Sequence, residues 1–272
     1  MKVFYLVLAS ISISLMAGAQ QEHLFNKKDL TGWDTYIGPE LNDSGIAISI
    51  IPVGLNKDPL NVFSVTDLDG EKVIRISGES WGGMSTLKEY ENYHFRLKYK
   101  WGKSKWGQKS DKPRDSGLLY HAVGPHGAEY GAWMRSQEFQ IEEGNTGDYW
   151  GVGGGVQDIP AFQVNGKYVY DPSVAIITFG AKSAAGRHCV KQGLYELNEG
   201  WNTLDLYCFK DTSVHIVNGN TVMVLYNSRQ QDGDNFKPLV KGKIQIQSEG
   251  AEVYYKDIFI EPVKGIPSGV LK

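Results

Sequence analysis

Short runs in which polar and apolar residues alternate, each closed by Gly, Asn, Asp or Pro, recur along the chain and constrain its fold more than any other feature. A period of two places successive side chains on opposite faces of a strand, whereas a helix needs apolar residues every three to four positions. The clearest run is Tyr93 to Trp101, with Phe95, Leu97, Tyr99 and Trp101 on one face and Arg96, Lys98 and Lys100 on the other. Further runs cover Val73–Ser77, Gly117–Val123, Gln137–Glu143, Ile176–Phe179, Asn202–Lys210, Ser213–Val217, Thr221–Tyr226, Gly242–Gln247 and Glu252–Ile260. Asn218-Gly219 separates two of them, and this pair tolerates the positive φ of a tight hairpin turn, so those two strands are expected to pair antiparallel. Strands joined by hairpins without crossover helices predict an all-β fold, a two-sheet antiparallel sandwich of the jelly-roll kind. Lys103 to Arg114 and the glycine-rich Gly144 to Pro160 read as loops, the second placed to lie over one face.

The chain opens with Met1-Lys2, an apolar run from Val3 to Met16 broken only by serines, and Ala17-Gly18-Ala19 before Gln20. A basic start, a short apolar centre and a small-x-small site form a secretory signal peptide, which predicts cleavage after Ala19 and an exported protein, periplasmic or at the cell surface. The run is short for a membrane span, no other stretch approaches one, and no transmembrane segment is expected in residues 20–272. No linker, charge run or repeat divides those residues, which read as a single domain. The net charge of -3 comes without a basic stripe, so nucleic acid is not an expected partner. Cys189 and Cys208 fit neither a paired CxxC zinc site nor a redox motif; an exported compartment permits a bridge between them, with two free buried thiols as the alternative.

Candidate chemistry concentrates in Ser136 to Glu143, where alternation is strict. With Phe139 and Ile141 inward, Glu138, Gln140 and Glu142 line the opposite face. Positions two apart on one face lie roughly 6.5–7 Å apart at Cα, a spacing at which two carboxyl groups can flank one glycosidic bond as acid and base or acid and nucleophile. A solvated strand face is the plain alternative. Lys243 to Glu249 repeats the design, with Gln245, Gln247 and Glu249 opposite Ile244 and Ile246. In Ser116 to Val123, Gly117, Leu119 and His121 share a face whose titratable side chain is His121. A common face carrying Glu138, Gln140, His121, Gln247 and Glu249 suits a hydroxyl-rich ligand, a carbohydrate. Trp101, Trp106, Trp133, Tyr149 and Trp150 are candidate stacking platforms, although each alone is more often a core or rim residue. Trp150 is favoured because an indole in a glycine-rich loop has little core to join. Asn145-Thr146-Gly147-Asp148 lacks the EF-hand register for calcium but makes Asp148 a candidate substrate ligand. No HExxH or clustered His/Cys spacing points to zinc, and no glycine-rich phosphate motif points to a nucleotide. A divalent metal held across strands by His121 and Glu138 stays open.

Several segments also match a known pattern. Leu24-Phe25-Asn26-Lys27-Lys28-Asp29-Leu30-Thr31-Gly32-Trp33 is similar to an opening LFNGKDLTGW, Asp115-Ser116-Gly117-Leu118-Leu119-Tyr120 to an NSGIxYR strand, and Glu138-Phe139-Gln140-Ile141 to ExQI. Gly200-Trp201-Asn202 and Val217-Asn218-Gly219 match GxWN and xNG positions, and Gly242 to Gly250 a closing GxIxLQxEG. In this order, and over nearly all of the chain after residue 19, they resemble the 3-keto-disaccharide hydrolase domain family, with Asp115 in place of Asn, Lys28 of Gly and His121 of Arg. The resemblance implies a concanavalin A-like jelly roll whose concave face binds sugar, with position 121 facing the cleft. It also implies cleavage of glycosides already oxidised to a ketone at C3, by removal of the acidified C2 proton, departure of the C1 group and addition of water. In that reading His121 is the base or a metal ligand, Glu138 the acid/base or a metal ligand, Glu249 a second acid or orienting group, and Gln140 and Gln247 bind hydroxyls. A divalent metal is the optional electrophile. Two other readings are a retaining glycosidase using Glu138 and Glu142, with Gln140 where glucanases of this fold place a third acid, and a non-catalytic carbohydrate-binding module.

Overall fold

The computed structural model describes residues 20–271, so the signal peptide expected over residues 1–19 lies outside the described residues. Tyr93–Lys105 forms the strand that alternation predicts: Phe95, Leu97 and Tyr99 are fully buried, while Arg96 reaches Asp205 and Lys98 reaches Asp257 on the outer face. It sits near the middle of the larger sheet, whose order runs Lys167–Tyr170, Gly155–Val164, Asn220–Asp232, Thr212–Val217, Asn202–Phe209, Tyr93–Lys105, Ala251–Pro262, Glu71–Ile76, Phe63–Leu68. The smaller sheet runs His188–Cys189, Tyr149–Val152, Arg135–Glu142, Asp115–Val123, Lys243–Ser248, Gly82–Thr86, Trp33–Leu41, Ala47–Leu55. Every pairing between these strands is antiparallel, and no α-helix occurs among the described residues, only single 3₁₀ turns at Gly107–Lys109 and Ser268–Val270. The result is the expected all-β, two-sheet sandwich. No helix among the described residues is long and apolar enough to cross a membrane.

The two sheets meet over an aromatic and aliphatic core. Leu118, Phe139, Ile141, Ile244 and Ile246 from the smaller sheet pack with Phe95, Leu97, Tyr99, Val253 and Tyr255 from the larger one. Truncating one of the fully buried aromatics, such as Phe139, costs about 3–5 kcal/mol on this scale of burial. Asn218 and Gly219 both take positive φ, 49° and 81°, and close the hairpin between Thr212–Val217 and Asn220–Asp232.

Two expectations are corrected. The strand from Tyr93 continues to Lys105, so the expected loop starts at Trp106. Gly144 to Pro160 is not a loop: Tyr149–Val152 pairs in the smaller sheet, and Gly155–Val164 pairs in the larger. Its glycines serve a turn and a close approach. Gly153 and Gly154, at φ 58° and 103°, turn the chain from one sheet to the other, while Gly151 lies directly against the backbone of Gly155. Gly82–Thr86 was hidden for a related reason, since the Gln245 side chain lies where a Cβ on Gly83 would stand, 2.6–2.8 Å away.

Candidate active site

Three adjacent strands build the floor of a cleft on the outer face of the smaller sheet. Phe139 and Ile141 go into the core, which leaves Glu138, Gln140 and Glu142 outward, and the register sets Gln140 beside Gly117 and Glu142 beside Asp115. On the other side of Asp115–Val123, Lys243–Ser248 brings Gln247, and Glu249 follows just past the strand. Glu138 and Gln247 converge over Gly117, where a Cβ would collide with both. The amide of Gln140, oriented to donate, gives hydrogen bonds to Glu138 Oε1 at 2.9 Å and to the Ser116 carbonyl at 3.0 Å. The cleft holds about 230 Å³, and Lys109, Asp115, Glu138, Gln140, Glu142, Gln247, Glu249 and Trp150 are among its lining.

Lys109 reaches in from the 3₁₀ turn. Its ammonium is paired with Asp115 and lies 3.9 Å from both Glu142 and Glu249. Burial pushes the Glu138 carboxyl well above the ordinary carboxylate range, and the charge on Asp115 pushes it further. The same two causes raise Glu249. Asp115 is pushed up to about 7 by burial, against the pull of Lys109. Lys109 itself is raised, because the surrounding carboxylates outweigh its burial. The cleft therefore holds carboxyl groups raised above the ordinary carboxylate range, with the cations Lys109 and Arg187 in its lining, which is the equipment of acid and base catalysis.

An aromatic rim stands over this floor. Trp150 stacks on His188 with ring centres 4.2 Å apart, and His188 Nε2 hydrogen-bonds Asp148 Oδ2 at 2.7 Å. Arg187 lies over the rings of Trp150 and Tyr130 and pairs with Glu129 at 2.8 Å. Trp133 donates its indole N–H to the Gly82 carbonyl at 2.8 Å and stacks on Trp81.

Of the residues singled out from sequence, Glu138, Gln140, Glu142, Gln247, Glu249 and Trp150 come together in the cleft. His121 does not. Leu119 pairs with Gln245 and Ala122 with Lys243, so Tyr120 and His121 both stand opposite Ile244, and this bulge, with His121 at φ 51°, breaks the alternation. The ring turns inward between Tyr93 and Tyr120, and burial lowers its pKa to about 4. The expectation that position 121 faces the cleft is corrected. Asp148 is also displaced from its expected role: it is buried behind the rim, where its oxygens accept from the Lys191 N–H at 2.9 Å and meet His188. Among the described residues no three His, Cys, Asp or Glu side chains converge as metal ligands, and Lys109 holds the centre of the Asp115, Glu142 and Glu249 group. With His121 in the core, the residues present do not fit the divalent metal considered from sequence. Sequence reading missed Asp115, Lys109, Glu129, Tyr130 and Arg187. Asp115 alternates with Gly117 and carried a legible signal; the others arrive from turns and a rim strand and carried none.

No curated protein sequence matches the chain. Two crystal structures described as candidate glycosyl hydrolases from Parabacteroides distasonis ATCC 8503 are similar to it, one at 20% identity over 90% of this chain and 94% of that one with a TM-score of 0.46, the other at 16% over 90% and 100% with 0.48. A Bacillus licheniformis beta-glucanase is similar at 11% identity over 92% and 100% of the two chains, with a TM-score of 0.41. The family model described as a 3-keto-alpha-glucoside-1,2-lyase-like domain matches residues 20–261, nearly all of the described chain, and the protein belongs to that family.

Proposed function

We propose that this protein is an exported enzyme that cleaves the glycosidic bond of 3-keto-glucosides by elimination followed by hydration, in the cleft built on Glu138. The observation that carries the reading is the Glu138 carboxyl, buried on the cleft floor against Gln140 and Gln247, within a group of further carboxyls and with Lys109 and Arg187 in the same lining. A ketone at C3 acidifies the C2 proton. Asp115, which titrates at about 7 and so is partly ionised at neutral pH, takes that proton, Glu138 gives its own to the departing C1 oxygen, and the C1–O bond breaks as the C1–C2 double bond forms. The Lys109 ammonium faces the negative charge that builds on the enolate oxygen. Water then adds across the double bond, its hydroxyl at C1 and a proton at C2, which restores the protonation of the two carboxyls. Gln140 and Gln247 bind hydroxyls, and Trp150 stacks against a ring face.

Double displacement on Glu138 and Glu142 is not favoured, because Gln140 stands between them where glucanases of this fold place a third acid, and its amide donates to Glu138 Oε1 at 2.9 Å. Asn145 also holds Glu142 Oε2 at 2.6 Å, toward its own end of the strand. A pure binding module needs platforms but no titrating carboxyls, so the buried acids favour an enzyme. The test is to incubate the purified protein with matched glucosides and 3-keto-glucosides, with and without chelator, and follow the released aglycone. Release from the keto form alone supports the reading; release from neither selects the binding module.

A further inference from the structure

The smaller sheet ends on Ala47–Leu55, which pairs with Trp33–Leu41 on one side and with no other strand among the described residues. An edge carries unpaired backbone groups, and natural edges are commonly guarded by charge, by proline or by a bulge. This one has Pro52 and a bulge but no charge, since none stands from Ser44 to Asn56. The bulge lies between the pairings of Ala47 with Leu41 and Pro52 with Pro39, where Ile48 to Ile51 stand against Glu40 alone. Ser49 Oγ accepts from the Ile51 N–H at 2.9 Å and holds the tip in shape. Ile50 and Ile51 are 96% and 72% exposed there, with Ile46, Ile48, Leu55 and Leu60 exposed around them.

Beside the bulge runs a groove of about 360 Å³, with Ile37, Leu41, Ile48, Val53 and Leu60 among its lining. Projecting isoleucines and an apolar groove on one surface suit an isologous contact, because a two-fold axis presents the same patch to itself. The exposed aliphatic side chains amount to about 400 Å² per copy, at roughly 100 Å² for each one fully exposed. That is close to the apolar share of a standard interface, which buries about 800 Å² per partner. The charges at the ends of the run are complementary. Glu40 and Asp43 stand at its start and Lys57 just past its end, while Asp58 is occupied by the N–H groups of Val62 and Phe63, both at 2.8 Å. Antiparallel pairing about Ile51, the midpoint of Ala47–Leu55, brings the acidic end of one copy to Lys57 of the other.

We propose that this edge is the interface of a two-fold dimer of the chain, in which the Ala47–Leu55 strands of two copies meet antiparallel and bury the isoleucine tip. Gly82–Thr86 and Trp33–Leu41 lie between the edge and the cleft floor, so the proposal is independent of the reaction. Sedimentation velocity on the purified protein should show a dimer of twice the chain mass that dissociates on dilution from about 100 μM to about 1 μM. Ile50→Asp changes an exposed side chain and so spares the fold; it should weaken association by about 30-fold or more with an unchanged far-UV circular dichroism spectrum. Lys57→Glu should weaken it about threefold or more, and adding Asp43→Lys should restore it. Ile51→Cys should form a dimer linked by a disulfide across the axis on air oxidation, because Cys189 and Cys208 are buried. A protein that stays monomeric at about 100 μM, or a dimer that Ile50→Asp leaves intact, overturns the interface. A monomer that floats with phosphatidylcholine vesicles would assign the tip to a lipid surface and overturns it equally. Disruption by Ile50→Asp with neither the charge rescue nor the cross-link overturns the antiparallel register.

Discussion

Glu138 lies over Gly117 on the neighbouring strand, in the space that any side chain at position 117 would fill. Glu138→Gln keeps the size of the side chain and removes its proton chemistry. Turnover of a 3-keto-glucoside should fall by about 100-fold or more, the scale of one general acid or base, with an unchanged far-UV circular dichroism spectrum. Gly117→Ala should lower turnover too, by pushing Glu138 and Gln247 aside. Wild-type turnover in either variant would remove Glu138 from the mechanism.

Asp115 titrates at about 7 in the folded chain against 3.8 for an unperturbed aspartate. The folded state therefore binds more protons between these values, and this residue lowers stability progressively as pH rises from about 4 to about 7, with the full cost remaining above. Asp115→Asn removes the titration. Relative to wild type, the variant should gain stability on the order of 2–4 kcal/mol between pH 4 and pH 8, measured by urea unfolding at each pH. A constant gap across that range would contradict the assignment.

His121 has the opposite sign. Its folded pKa of about 4 lies below the usual 6.5, so its contribution is complete above pH 6.5 and is lost as pH falls toward 4. His121→Phe should blunt the acid loss of stability in thermal melts between pH 7 and pH 4.5. Because the ring faces the core, turnover at pH 7 should stay within a few-fold of wild type; a loss of 100-fold would return His121 to the cleft.

His188 stands between Asp148 and Trp150. Asp148→Asn should act through that stack, raising KM several-fold with little change in kcat, and Trp150→Ala should raise KM further. Equal falls in kcat from Asp148→Asn would show that the residue touches the reaction itself.

Cys189 and Cys208 are both free and buried, and burial pushes the Cys208 thiol up to about 12. A thiol reagent should find no reactive group in the native protein and two after denaturation without reductant. Zero after denaturation would indicate a bridge.

Much of the sandwich was legible because alternation needs only local sterics. The outward placement of Glu138, Gln140, Glu142 and Gln247 follows from Phe139, Ile141 and Ile246 going inward, and the Asn218-Gly219 hairpin follows from the φ angles those residues tolerate. Alternation fails where the backbone gains a residue. Nothing in Tyr120-His121-Ala122 announces a bulge, and one extra residue was enough to turn His121 to the other face. Gly82 and Gly83 carry no side chain to alternate. Lys109 and Arg187 owe their positions to how a turn and a rim strand pack against the sheet, which no local window contains.

The turn at Gly153 and Gly154, which hands the chain from one sheet to the other, has a consequence for how the molecule is made. The cleft floor joins segments near residues 115, 140 and 247, and the rim strand Tyr149–Val152 leads through that turn into Gly155–Val164, whose partners extend to Gln230. Contacts so distant along the chain make folding slow, on the millisecond-to-second scale of high-contact-order β proteins. Catalytic competence should therefore appear late in refolding, together with the last long-range pairings, and a chain cut short before residue 243 should lack a site altogether.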